Sequence, residues 1–290
     1  MGAIELRLLD QVVQIEGPGE FLADVARRFE PNHDRCEDFP SDGVDLRIRV
    51  ESRPLDVSAD RARYTLTTDP PGRLDRMSRA ASVCPSELAG ALNRWAVTST
   101  SAYYTFHAAA VCREGRGILL PAASRHGKST LTAALLTRGF DFLSDEVGAL
   151  GASSGRLVGY PRALFLRRDV LAILGIARWD SAARVNGDEM VLRPDELGGK
   201  RCATGAEVFL VVAPAFLPGA QTRIERMRPG PTVMALLEAS CAQPRFKVRG
   251  IDLVIDLARR TPSFRLEYGD LETAVDAIER TFLSVSRGSE

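Results

Sequence analysis

Four consecutive residues, Gly127-Lys128-Ser129-Thr130, follow the apolar run "GILLPAA" and open the helix-prone stretch "STLTAALLTR". A glycine, a lysine and a hydroxyl in that order, between a strand and a helix, form the second half of the phosphate-cradling pattern G-x-x-x-x-G-K-[ST]. The chemistry follows from the residue types. Successive backbone N–H groups over Ala123, Ser124, Arg125, His126 and Gly127 wrap phosphate oxygens, and the helix start adds partial positive charge. Lys128 reaches the β- and γ-phosphates of a nucleotide, while Ser129, next to Thr130, offers its hydroxyl to Mg2+. The Arg125 and His126 side chains project from the loop and add charge there. Ala122 stands where the pattern has its first glycine, a position at which open backbone angles help a sharp turn. That departure weakens the match. Only Lys128, Lys200 and Lys247 are lysines in a chain whose other cations are arginines, so a lysine inside this loop stands out. The competing reading is an ordinary strand–helix turn that spells the motif by accident.

Two more groups are brought to the loop by topology. A helix over about 128–138 rises roughly 16 Å at about 1.5 Å per residue. A strand returns that distance in about five residues at about 3.3 Å each. In a right-handed βαβ unit both strands end on one rim. Asp145, 17 residues past Lys128, therefore arrives beside the loop with Glu146 next to it. Carboxylates there hold Mg2+ or accept a proton from an attacking hydroxyl. The bland alternative is an exposed acidic strand end. His107 comes from the other side: in a hairpin turning near Glu114, facing residues sum to about 228, which places His107 near Pro121 at the loop mouth. A lone histidine on an apolar strand is more often a core residue, so position alone does not assign it. Arg162 in "YPRALFLR" is a candidate substrate contact, because guanidinium suits phosphate or carboxylate, with a surface role as the competing reading.

The surrounding pattern must position these groups. "IELRLLDQVVQIEG", "VDLRIRVES" and "ARYTLTTD" alternate like strands, and "FLADVARRFE" has helical spacing. "DPPGR" reads as a turn. "PSELAGALNRWAVTSTS" reads as a helix with Pro85 in its first turn and Glu87 at its positive end. The hairpin follows, then the loop, then a helix with Gly139 at its C-terminal cap. "FDFLSDEVGAL" is a strand ending at Ser144-Asp145-Glu146, and "GRLVGYPRALFLRR" continues extended. "DVLAILGIARW" and "PTVMALLEAS" look helical; "EVFLVVAPAF", "IDLVIDLA" and "SFRLEYG" look like strands. "DLETAVDAIERTFLSV" closes the chain as a helix capped by Asp270. Intermingled strands and helices imply an α/β fold, with a β-rich region over 1–98, helical near 85–98, and a catalytic region over 99–290.

The 290 residues suit one large or two modest domains, and 45% hydrophobic content gives a substantial core. Lys+Arg and Asp+Glu both number 38, so no bulk field favours nucleic acid or an anionic membrane. The five cysteines include no CxxC and read as buried free thiols in a reducing cytosol. The start "MGAIELRLLD" lacks signal-peptide and myristoylation patterns, and "VFLVVAPAFL", broken by Pro214, is too short to span a bilayer. A cytoplasmic protein is the expectation.

The stretch "FHAAAV…GRGILLPAASRHGKSTLTAALLTRGFDFLSDEVGAL" resembles the catalytic domain of HPr kinase/phosphorylase, and most closely the HPr-kinase-related branch, some of whose members phosphorylate a serine of a ribosomally made peptide such as a lasso-peptide precursor. The resemblance covers about residues 100–170 and extends weakly through "GYPRALFLR" and "ARRTPSFRLEYGDLETAVDAI". It implies a P-loop kinase core of the HPr kinase and phosphoenolpyruvate carboxykinase type, using ATP and Mg2+ to phosphorylate a serine hydroxyl of a peptide or small protein. It implies Asp145 as the base, His107 as a supporting group near the phosphates, and Glu146 at the position of a second Asp. It also makes self-association into a homo-oligomer an expectation. Thr130 stands where the parent enzymes carry Glu, and their N-terminal domain is not recognisable here; residues 1–98 would serve substrate recognition or extend the sheet. A hydrolytic nucleotidase, a non-catalytic nucleotide-binding protein and a small-molecule hydroxyl kinase are the alternatives. "DEVG" spells the D-x-x-G of GTPases but leaves no room for a switch segment after Lys128, and no N-K-x-D occurs.

Overall fold

The computed structural model describes residues 1–29, 43–53, 63–71, 73–74, 82–122, 127–160, 162–176, 184–186, 189–202, 204–241 and 245–288. Within them the chain is mixed α/β, with fifteen strands and seven α-helices. It divides into two units, Met1–Ser101 with Pro161–Ala163, and Ala102–Tyr160 with Leu164–Glu290.

The first unit holds one four-stranded sheet in the order β1-β2-β3-β4, built from β1 (Gly2–Leu8), β2 (Gln11–Gly17), β3 (Leu46–Arg53) and β4 (Arg63–Asp69). The stretch that alternates over 4–17 is a hairpin. Its turn falls at Leu9-Asp10, with Leu9 in the left-handed region at φ 61, where no glycine advertises a reversal. α1 (Gly19–Arg28) crosses from β2 to the parallel β3 and buries Phe21, Leu22 and Val25. α2 (Pro85–Ser99) begins where the Cys84 amide donates to Glu87 Oε2 at 2.8 Å, so Glu87 caps the first turn as its place in the sequence implies.

The second unit is built on an eight-stranded sheet. β5 (Tyr103–Arg113) turns through Glu114 and Gly115, both at positive φ, into β6 (Arg116–Pro121). The observed register pairs Ala108 with Pro121, one step from the expected one, so His107 faces the residue after β6. β13 (Ala206–Phe216) runs parallel to β6, and β15 (Ser263–Tyr268) runs parallel to β13. β6, β13 and β15 therefore all end on one rim. On the other side of β5, β7 (Asp141–Ser144) and β8 (Val147–Gly151) pair with it in succession, both antiparallel. The acidic pair therefore follows the end of β7 at Ser144, as the sequence implies, and fills the break before β8 resumes the pairing along β5. β5 is long enough to partner both segments in turn. β9 (Arg156–Val158) pairs with both β8 and β13, which closes a ring of pairing through β6, β5, β8, β9 and β13. β14 (Arg223–Arg226) covers the outer edge of β15. A separate three-stranded sheet contains β10 (Leu164–Arg167), β12 (Glu189–Leu192) and β11 (Arg184–Asn186).

Alternation along the central strands sends side chains to two cores. Ala109, Val111, Ile118, Leu120, Leu210 and Val212 pack with α3 (Lys128–Thr137) and α7 (Leu271–Arg287). Phe106, Ala108, Ala110, Leu119 and Val211 pack with α5 (Pro229–Ala239) and α6 (Lys247–Arg260). "IDLVIDLA", expected as a strand, lies inside α6. Its buried residues, Gly250, Val254, Leu257 and Ala258, recur at helical spacing, which outweighs the β-branched composition. α4 (Arg168–Ile173) is short, and the end of its predicted stretch, 177–179, lies outside the described residues. Asp270 caps α7, its Oδ1 accepting from the Thr273 amide at 2.9 Å. The cysteines expected as buried differ among themselves: Cys112 is buried, Cys202 and Cys241 are half-buried, Cys84 is exposed, and Cys36 lies outside the described residues. Among the described residues no helix is long and apolar enough to cross a membrane.

Candidate functional site

β6 delivers the chain to the loop and α3 carries it away. Ala123, Ser124, Arg125 and His126 lie outside the described residues, so the structure gives the two ends of the loop, Ala122 and Gly127. Gly127 sits at the N-cap of α3 with φ 77, left-handed backbone that suits glycine. A Cβ there would stand 2.5 Å from the Tyr268 hydroxyl, so the space requires glycine as well.

Lys128 is the first residue of α3, and its side chain folds back over the loop ends. Nζ donates to the Ala122 carbonyl at 2.6 Å and lies 3.1 Å from His107 Nε2. An ammonium has no lone pair, so facing charged Lys128 this histidine nitrogen is the acceptor and the ring proton belongs on Nδ1. Lys128 is only 7% exposed. Burial pushes its ammonium down from the usual lysine range to about 8, and the Asp145 carboxylate pulls it partly back. An anion placed beside it would hold the charge in full.

The acid arrives as the topology requires. Ser129 Oγ donates to Asp145 Oδ2 at 3.2 Å, and Asp145 is buried at 6% exposure. The break between β7 and β8 is fixed by Ser144, whose Oγ accepts from the amides of Glu146 at 3.3 Å and Val147 at 3.0 Å. The Glu146 carbonyl then accepts from the Ala108 amide at 3.2 Å. These bonds seat the break against β5, one residue along from His107. Glu146 is half-buried, and the carboxylate at the Ser129 hydroxyl is that of Asp145. The structure thus brings Lys128, Ser129, His107 and Asp145 into one polar cluster. Arg162 falls in the 161–163 segment, which belongs to the first unit, whereas this cluster is built from the second unit alone.

A divalent cation can be tested against these donors. Ser129 and Asp145 offer a hydroxyl and a carboxylate, hard oxygen ligands in contact with each other. Among the described residues no group of three or more His, Cys, Asp or Glu could cage a metal. That combination suits Mg2+, which keeps several waters and completes its shell from phosphate oxygens. It does not suit a closed structural metal site.

On the other flank the structure adds residues that sequence reasoning missed. Phe216 ends β13 and Tyr268 ends β15, and they are direct register partners. Their rings lie 5.4 Å apart, tilted by 57°. Both line a cavity of ≈ 730 Å³ that also reaches Gly127 and Thr130. The available signal was an aromatic closing each of two predicted strands, in "AFLPG" and "EYGD". No known protein-family model matches the chain, and no curated protein is significantly similar to it.

Proposed function

We propose that the second unit is an ATP-dependent kinase that transfers the γ-phosphate to a serine hydroxyl of a peptide or small protein. The observation that carries this reading is the convergence of Lys128, Ser129 and Asp145 at the start of one helix. The sequence resemblance supports transfer over simple hydrolysis, since His107, the loop and the acid occur in the order of the HPr-kinase-like family.

The residues divide the work. The loop amides and the N-terminus of α3 bind the triphosphate, and Lys128 sets its charge against the β- and γ-phosphates. His107, at Lys128 Nζ, orients that ammonium. The acceptor hydroxyl attacks the γ-phosphorus in line with the bridging oxygen. The new P–O bond forms as the bond to that oxygen breaks, and ADP leaves. Asp145 takes the hydroxyl proton. Ser129 with Asp145 or Glu146 would hold Mg2+, which when bound neutralises charge building on the phosphate oxygens. Burial of Lys128 and Asp145 strengthens their fields relative to water.

The test is transfer from γ-labelled ATP to a serine-containing peptide library, with Lys128→Ala as the blank. The expected result is labelled phosphoserine peptide from the wild type and none from Lys128→Ala. Labelled inorganic phosphate without labelled peptide would favour a hydrolase, and binding without turnover would leave a nucleotide-binding protein.

A further inference from the structure

We infer that the cavity beside the loop, walled by Phe216 and Tyr268, receives the purine base and ribose of the nucleotide whose phosphates the loop holds. This deepens the proposed function and rests on it.

Placement is the first argument. β13 and β15 run parallel to β6, so Phe216 and Tyr268 end on the same rim as the start of the loop. In α/β sheets, open or closed, ligands bind outside the carboxyl ends of the parallel strands. Asp145 reaches the loop from the β5 side, and the aromatic pair reaches it from the β13 side. A phosphate chain lying in the loop would therefore have the acid at one end of its reach and the rings at the other.

Contiguity is the second argument. Gly127 and Thr130, which belong to the loop and the first turn of α3, also line the cavity. The Tyr268 hydroxyl packs where a Gly127 Cβ would be. Gly127 is thus shared between the phosphate end and the cavity, as a single ligand spanning both requires. A volume of ≈ 730 Å³ lies within the usual range for small-ligand sites, about 300–1,000 Å³.

Chemistry is the third argument. Val170 and Leu174, together with Leu271, supply apolar wall around the aromatic pair. Phe216 is 41% exposed, an aromatic edge of the cavity open to a flat partner. A purine stacks on such a ring whatever its substituents. Asp270 and Glu272 bring carboxylates to the cavity. Arg138 lines the same cavity and lies 3.7 Å from Glu272, and Asp270 also caps α7, so the walls carry both signs of charge and offer acceptors to ribose hydroxyls without fixing the direction of the nucleotide.

The test is calorimetric titration of the full chain with Mg·ATP and, separately, with magnesium tripolyphosphate, on the wild type, Phe216→Ala and Phe216→Trp. The wild type is expected to bind ATP at least about ten-fold more tightly than tripolyphosphate, as one stacked base warrants. Phe216→Ala is expected to lose about that ten-fold for ATP and to keep its tripolyphosphate affinity. Phe216→Trp is expected to restore ATP binding, with indole fluorescence quenched by ATP and unchanged by tripolyphosphate. Phe216 is partly exposed, so an unchanged melting temperature checks that Phe216→Ala still folds. If wild type binds both ligands equally, or if Phe216→Ala binds ATP like wild type, the base pocket is overturned while the phosphate loop stands. If wild type binds neither ligand, the kinase reading itself fails and takes the pocket with it.

Discussion

The two flanks of the loop are built by opposite means. On the β5 side lie Lys128, His107, Ser129 and Asp145, polar groups held by hydrogen bonds of 3.1 Å and 3.2 Å and by the Ser144 turn. On the β13 side lie Phe216 and Tyr268, two rings 5.4 Å apart at the ends of parallel strands, with apolar residues around them. The polar flank is costly to bury and therefore has to be bonded internally, which fixes each atom. The aromatic flank needs only shape and contact, and it can accept a flat partner without rearranging charge. One side is suited to chemistry on a phosphate, the other to recognition of what the phosphate is attached to. On that division, substitutions on the first flank should change rate and substitutions on the second should change affinity.

The largest expected effect belongs to Asp145. In Asp145→Asn the side chain keeps its shape and can still pair with Ser129, but it no longer accepts a proton. Transfer to the acceptor should fall by about 10²–10⁴-fold, the range that loss of a general base produces. Affinity for ATP, measured by calorimetry, should change by less than about three-fold, because the proposed phosphate contacts come from the loop and Lys128. Normal transfer rates would remove Asp145 as the base. Loss of ATP binding would show that holding Mg2+ or the fold, rather than taking the proton, is its main task, and would blur the division between flanks.

A smaller effect is expected where the flanks meet. Gly127→Ala forces a side chain into left-handed backbone, at a cost of about 1 kcal/mol, and presses its Cβ toward the Tyr268 hydroxyl. The melting temperature should fall by about 2–4 °C. Tyr268→Phe alone should cost little, since it removes only that hydroxyl. Combined with Gly127→Ala it should recover part of the loss, a coupling visible in a double-mutant cycle. Strict additivity would mean that the hydroxyl and the loop do not press on each other, and the contiguity of the two flanks would be lost as an argument.

The polar flank was largely legible in the sequence because its parts are close in the chain. Lys128 and Asp145 are joined by one helix and one short strand, so lengths alone bring them together. His107 needed only the hairpin, and the error of one residue in register still placed it at the loop mouth. The aromatic flank was not legible, since Phe216 and Tyr268 meet through parallel pairing that no local pattern encodes. Local signals also misled where packing decides. "SDE" does mark the end of β7 at Ser144, but it hides the new strand that pairs with β5 from Val147 onward, opposite His107. "IDLVIDLA" has strand composition, yet its buried positions line one helical face against Phe106 and its neighbours. Leu9 takes a turn conformation that its side chain gives no reason to expect.

The smallest expected effect lies away from both flanks and serves as their control. Cys112 pairs with Gly117 and Asp141, at the hairpin end of the sheet rather than at the loop rim. Cys112 is the neighbour that pulls the Cys202 thiol down from the usual range to about 7, while burial and that same neighbour keep Cys112 protonated; below that pH the Cys202 thiol donates to the Gly205 carbonyl at 3.4 Å. Above pH 7 the folded chain therefore carries a thiolate at Cys202 that the unfolded chain acquires only near its ordinary value. The unfolded state binds the extra proton across that window, so this group's contribution to stability rises with pH from about 7 and then levels. Alkylation by iodoacetamide, followed by peptide mass mapping, should switch on at Cys202 with a midpoint near pH 7, and Cys112→Ala should move the midpoint upward. Phosphate transfer by the alkylated protein should stay within about two-fold of the untreated one, since neither flank includes this pair. A large loss on alkylation would show that the far end of β5 governs the rim, and the chemistry could then no longer be assigned to the polar flank alone.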